Sequence, residues 1–289
     1  MGAAAPPGLV SPGHGRRDPA FVARITLSVV SDFERRAARA ETLAASHAAV
    51  AEPLWFAAGL YRAQAALAGF LERSHAGEPL TGHLDDDAER FLDRVPGILR
   101  YAGDSGPEAL SAEARARLED LPATRRTRLL VYWEGGRSSR DDYLSRAILR
   151  PYVETLRSLP VAPDRPHTKG RCPFCGGSPW ISVRREGSLM EGARRSLGCA
   201  LCGTEWPFGR ILCPSCHEED PRKLPAFSAA GHLAVRIETC ETCHRYVKSL
   251  DLSEDARPIP EVDDLASLSL DLWALREGFE RIEPGLAGL

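Results

Sequence analysis

All eight cysteines lie between Cys172 and Cys243, and each belongs to a pair with two residues between its members. Cys172 and Cys175 are followed after 23 residues by Cys199 and Cys202. Ten residues later come Cys213 and Cys216, and after 23 more Cys240 and Cys243. Every cysteine of the first half recurs at an offset of 41, and Pro173 recurs as Pro214 in the same register. That coincidence marks a duplicated unit. A two-residue gap lets a tight turn present both sulfurs to one ion, with backbone N–H groups free to donate to them. Two such turns supply a tetrahedron of thiolates, with metal–sulfur distances of about 2.3 Å for zinc. A segment of roughly 40 residues cannot bury enough apolar surface to fold alone. Metal binding closes that gap, because ligation and folding are one equilibrium.

The period groups Cys172, Cys175, Cys199 and Cys202 as one site and Cys213, Cys216, Cys240 and Cys243 as a second. Pairing the inner knuckles with each other, and the outer with each other, also satisfies the ligand count. Closed four-cysteine sets are structural by default, since no coordination position is left for a substrate. Redox-active dithiols and disulfide staples are competing readings, weakened by four tandem pairs in a chain without an evident export signal. An all-thiolate tetrahedron suits zinc and mononuclear iron alike. Gly176 and Gly203 follow the second cysteine of their knuckles, where a residue without Cβ eases a positive φ. His217 and His244 stand at the matching places of the second repeat, and with four cysteines completing each shell they read as bystanders.

Other chemistry finds little support. The sequence holds no nucleophile elbow, phosphate loop or H-E-x-x-H pattern, so no catalytic residue is assigned and the chain reads as a non-enzyme. Between residues 166 and 252, twelve Lys and Arg stand against nine Asp and Glu. Two divalent tetrathiolate sites bring that region to about −1, which argues against a nucleic-acid partner. Trp180 and Trp206 are assigned to the core rather than to base stacking. No apolar run reaches membrane-spanning length. Arg16 and Arg17 precede Phe21–Val30, but Asp18, Pro19 and Arg24 spoil an export signal. The composition, 43% hydrophobic and 27% charged, is that of a globular protein, and a cytoplasmic location is expected.

Around the cysteines, the elements read as an α+β multidomain chain: an N-terminal α-helical bundle, two tandem rubredoxin- or zinc-ribbon-like four-cysteine modules, and a C-terminal helix. Residues 1–20, rich in Pro, Gly and Ala, are expected to form a disordered leader. The helical domain covers 21–158. Its first helix opens at the capping box Ser31–Glu34 and runs to about Ala49. In the next, Leu60, Ala63, Leu67, Phe70 and Leu71 mark one buried face. Further helices are expected at Asp86–Leu99, Glu108–Leu118, Ala123–Trp133 and Asp141–Leu156, with Pro96 and Pro151 ending or kinking theirs. A proline-rich linker spans 159–170. The first module covers 171–210 and the second 211–252, with strands expected near Trp180–Val183 and His232–Ile237. A closing amphipathic helix lies within 261–283, docked on the metal region or the bundle. The cysteine-free helical part is expected to keep its fold when a metal site is lost.

Four stretches carry a family resemblance. They are Cys199-Ala200-Leu201-Cys202-Gly203-Thr204-Glu205-Trp206 with Gly209 through Cys216, Glu238 through Asp251, Asp263-Asp264-Leu265-Ala266-Ser267-Leu268-Ser269-Leu270-Asp271, and Ala57 through Gln64. Together they resemble the formate dehydrogenase accessory proteins over most of the chain after Ser31. The resemblance implies a cytoplasmic, non-catalytic maturation factor that contacts the catalytic subunit of respiratory formate dehydrogenase. It also implies rubredoxin-like modules holding two metal ions on Cys172, Cys175, Cys199, Cys202 and Cys213, Cys216, Cys240, Cys243. Iron is the metal the family favours, with zinc as the alternative. A rubredoxin-like electron carrier and a zinc-ribbon nucleic-acid binder are the other readings.

Overall fold

The computed structural model describes residues 28–186 and 194–288; the expected leader, residues 1–20, lies outside them. Helices fill the N-terminal half: α1 (Val29–Ser46), α2 (Ala51–Gly77), α3 (Leu84–Asp87), α4 (Val95–Ser105), α5 (Glu108–Leu118), α6 (Pro122–Trp133) and α7 (Tyr143–Ser158). The cap of α1 is Ser28, whose hydroxyl accepts from the Ser31 amide at 3.2 Å; the expected cap, Ser31, lies inside the helix. Helix α2 buries two faces rather than one. Leu60, Leu67 and Leu71 face one core, while Ala57, Ala58, Tyr61, Ala65 and Ala68 face another with α1. The second face is built mostly of alanine, which gives little contrast in a periodicity reading.

Neither proline ends a helix. Pro96 starts α4 instead of ending a helix, a position where its missing N–H costs nothing. Pro151 sits inside α7, and the helix runs on. The amide of Gln64, on α2, donates at 2.8 Å to the Ala147 carbonyl, the acceptor four residues back that Pro151 cannot serve.

The C-terminal half is one seven-stranded sheet of β1 (Pro179–Arg185), β2 (Arg194–Cys199), β3 (Glu205–Pro207), β4 (Ala226–Ser228), β5 (Val235–Cys240), β6 (Arg245–Asp251) and β7 (Glu280–Arg281). The order is β3-β2-β1-β6-β5-β4, with β7 beside β6. The offset of 41 carries β2 onto β5 and places β3 within β6. Apart from β7, the sheet is therefore two copies of a three-stranded unit laid head to tail. This makes its central join, β1 to β6, parallel, while the joins within each unit are antiparallel.

The C-terminal segment is not one helix. It breaks into α8 (Pro260–Asp263), a 3-10 turn over Asp264–Ser267, and α9 (Leu268–Arg276), before β7. Lys248 on β6 explains the break. Its ammonium donates to the carbonyl oxygens of Asp264 and Ser267, acceptors that a continuous helix would use itself. The segment docks on both expected surfaces. Val262 and Leu265 pack with α1 and α2, while Leu270 and Ala274 pack with Ile237 and Tyr246 of the sheet.

The largest core crosses from helices to sheet. Leu149, Tyr152 and Leu156 of α7 share one hydrophobic cluster with Leu197, Leu201, Trp206 and the four cysteines of the first repeat.

Candidate metal centres

Each C-x-x-C pair forms the same turn. The fifth residue donates its amide to the carbonyl of the first cysteine: Gly176 to Cys172 (2.9 Å), Gly203 to Cys199 (3.2 Å), His217 to Cys213 (3.1 Å) and His244 to Cys240 (2.9 Å). That geometry requires a left-handed backbone at the fifth residue, with φ of 66°, 66°, 63° and 52° respectively. The first cysteine's own amide then bonds the sixth residue's carbonyl, Cys172 to Gly177, Cys199 to Thr204 and Cys213 to Glu218, and in the last knuckle the equivalent residues, Cys240 and Arg245, are ladder partners of β5 and β6. The turns aim N–H groups at sulfur: Leu201 and Cys202 reach Cys199 Sγ, and Ser215 and Cys216 reach Cys213 Sγ, all at 3.4–3.5 Å.

Strands carry these turns to each other in pairs. Cys172, Cys175, Cys199 and Cys202 converge, as do Cys213, Cys216, Cys240 and Cys243, with the sulfurs of each set all within 4.8 Å of one another. This is the grouping the period favours, not the inner-with-inner alternative. Cys172 lies 3.5 Å from Cys202, Cys175 3.5 Å from Cys199, Cys213 3.8 Å from Cys243, and Cys216 3.6 Å from Cys240. A tetrahedron with metal–sulfur bonds of about 2.3 Å has edges of about 3.8 Å, and these four contacts, at 3.5–3.8 Å, are close to that length. All eight cysteines are free of disulfides. Without a cation such a cluster must share protons. Hydrogen bonds from Cys175, Cys199 and Cys202 pull the Cys172 thiol far down, while burial pushes Cys199 well up. Four thiolates at these separations fit a divalent or trivalent ion, zinc and iron alike.

The expected bystanders stay outside: neither His217 nor His244 joins a cluster. Trp180 and Trp206 are buried, as expected of core residues.

Two segments match the protein-family models described as "FdhE, central domain" (residues 171–210) and "FdhE, C-terminal domain" (211–286). The FdhE homolog of Pseudomonas putida is 30% identical over 284 residues, 88% of this chain and 86% of its own length. That of Aquifex aeolicus is 30% identical over 219 residues, 73% and 75% of the two chains. The chain belongs to the FdhE family. The crystal structure of the FdhE protein from Pseudomonas aeruginosa has a similar fold, with a TM-score of 0.65 at 25% identity over 88% of this chain and 94% of that one. An FdhE-family chain is a formate dehydrogenase accessory protein, so its role is of the maturation type and not enzymatic. Among the described residues no helix is long and apolar enough to cross a membrane.

Two buried ionic clusters of this FdhE-family chain escaped the sequence reading. In one, Arg36 (α1) and Arg150 (α7) both pair with Glu154 (α7) and with Glu261 (α8). In the other, Lys248 and Arg281 pair with Asp264 and Asp271, and the Tyr246 hydroxyl donates to Asp271 at 2.9 Å. The Asp263–Asp271 stretch that carried the family resemblance is thus an ion clamp. Asp263 holds Arg39 of α1, while Asp264 and Asp271 hold the second module. Spacing alone does not bring Asp264 and Asp271 together, because the first lies in the 3-10 turn and the second in α9.

Proposed function

We propose that this chain is a cytoplasmic accessory factor that binds the catalytic subunit of respiratory formate dehydrogenase during its maturation. In this reading Cys172, Cys175, Cys199 and Cys202 ligate one metal ion, and Cys213, Cys216, Cys240 and Cys243 a second, both iron. The units of the reading are the helical domain (21–158), linker (159–170), modules (171–210 and 211–252) and C-terminal segment (261–283).

The observation that carries it is the pair of compact four-thiol clusters, set in a chain that aligns with FdhE homologs over most of its length. Such a shell leaves no open coordination position, so this chain's own contribution is to hold the ions and present a folded surface. Iron rather than zinc rests on the family resemblance.

Affinity purification from anaerobic cells making formate dehydrogenase tests the proposal. The tagged chain is expected to recover the catalytic subunit and to carry two equivalents of iron by elemental analysis. Recovery of no formate dehydrogenase subunit sinks the partner, and stoichiometric zinc sinks the choice of iron.

A further inference from the structure

The repeat places two sites of identical ligand type in one molecule and gives them different surroundings. In the first, all four cysteines are at most 1% exposed. In the second, Cys213 and Cys240 are buried, but Cys216 is exposed and Cys243 half-buried. The two accessible cysteines are the second cysteines of their knuckles. Their counterparts at the offset of 41, Cys175 and Cys202, are sealed.

What seals them is visible at the fifth residue of each turn. A Cβ on Gly176 would lie 2.2 Å from the Pro166 carbonyl oxygen, and the Arg165 guanidinium donates to the Cys175 carbonyl at 3.2 Å. The linker is pressed onto this knuckle. A Cβ on Gly203 would meet the side chains of Arg36, Glu154 and Arg157, so α1 and α7 close over the other knuckle. The second repeat carries histidine at both positions, with the same left-handed φ. An imidazole is accommodated where Gly176 leaves no room for a Cβ and where Gly203 would bring a Cβ into van der Waals contact with α1 and α7. The cover at these two positions is lighter but unequal: His244 is exposed, while His217 is half-buried with its Nε2 enclosed beside Gly170.

We infer that the two sites differ in permanence: the Cys213, Cys216, Cys240, Cys243 site exchanges its ion with donors from solution, and the Cys172, Cys175, Cys199, Cys202 site retains its ion as part of the core. The inference rests on the reading that both clusters hold metal ions. Exchange at a closed tetrathiolate requires an incoming donor to reach the ion while one sulfur leaves. At the second site the Cys216–metal bond breaks as the donor's bond to the metal forms, and the freed thiolate takes a proton from water. No electron changes hands. At the first site the same step requires parting Leu197, Leu201 and Trp206 from the α7 residues Leu149, Tyr152 and Leu156, which form one cluster with the cysteines. That is an opening of the main core, far rarer than a local one.

The test uses the full chain isolated with its metal. The protein is challenged with excess EDTA, and retained metal is followed by elemental analysis. Freed thiols are trapped with iodoacetamide and located by peptide mass spectrometry. One equivalent is expected to leave about tenfold faster or more than the other, with early label on Cys213, Cys216, Cys240 and Cys243 and none on Cys172, Cys175, Cys199 or Cys202. Cys216→Ser is expected to weaken retention of the fast equivalent only. Release of both equivalents at one rate, early label on the first set, or loss of both ions from Cys216→Ser overturns the inference. A chain isolated with no metal in either cluster instead sinks the reading on which it rests, and the inference with it.

Discussion

Lys248 and Asp271 form an ion pair at 2.5 Å with neither side chain exposed to solvent. Lys248 comes from β6, one strand beyond the last knuckle, and Asp271 from α9. The bond ties the second module to the C-terminal segment, whose other end packs on α1 and α2. Arg281 and Asp264 complete the cluster. Arg281 also donates to the Trp180 carbonyl on β1, so the clamp reaches both modules. A buried charge pair is weak evidence for net stability, but removing one partner strands the other in a low-dielectric interior.

Asp271→Ala is therefore expected to be costly. It leaves the Lys248 ammonium with one carboxylate and removes the acceptor of the Tyr246 hydroxyl. The expected loss is about 3–5 kcal/mol, measured by urea denaturation of the metal-loaded protein. Arg257→Ala, which breaks the exposed pair with Asp255, is expected to leave the midpoint in place. Equal effects from the two variants would show that burial does not set the cost.

The left-handed turns give a second expectation. Gly176→Ala places a methyl group against the Pro166 carbonyl and forces a non-glycine residue to a φ of 66°. The backbone alone costs about 1–2 kcal/mol, and the collision adds to it. His244→Gly relieves the same strain where no such collision exists. It is expected to leave the thermal midpoint unchanged or to raise it, by up to about 1 kcal/mol in stability. A fall would mean that the ring contact between His244 and Phe279 outweighs the backbone.

How much of this was legible in the sequence follows from what each residue type advertises. Cysteine spacing records which sulfurs a pair of turns can bring together, so both clusters and their grouping could be read from an offset. Helices α5 and α6 were readable because they begin and end at marked residues. The ionic clusters were not, because Arg, Glu, Lys and Asp are assigned to surface by default, and only tertiary packing tells Arg150 from any other helical arginine. The continuity of α7 through Pro151 was hidden for a related reason. The carbonyl that the proline abandons is served by Gln64, 83 residues earlier in the chain.

The shared core makes the two cysteine clusters unequal in their effect on the helices. Cys199 belongs to the cluster that contains Leu149, Tyr152 and Leu156, whereas no cysteine of the second repeat belongs to it. Cys199→Ser is thus expected to weaken the helical part as well as the first module. Far-ultraviolet circular dichroism should show the helical transition at lower temperature. Cys240→Ser should leave that transition near its original place. Unchanged helical melting in both variants would favour a helical part that folds independently of the metal modules, as the absence of cysteines before Cys172 led one to expect.

The carboxylates of the ionic clusters set a pH dependence. Burial pushes the Asp264 carboxyl up, but Arg281 and Lys248 pull it further down, and the balance lies below the ordinary value. Glu261 is lowered in the same way by Arg150 and Arg36. A carboxyl whose folded pKa lies below its unfolded one adds stability that is complete above the unfolded value, about 4, and is lost as pH falls through the depressed folded value. Asp264→Asn removes that contribution for one residue. Urea midpoints of parent and variant are expected to differ most near neutral pH and to converge as the pH is lowered below about 4. Comparing the two proteins at each pH cancels the acid release of metal from the thiolates, which they share. A gap that stays constant across the acid range would mean that the Asp264 charge contributes nothing to folding and that its role is packing alone.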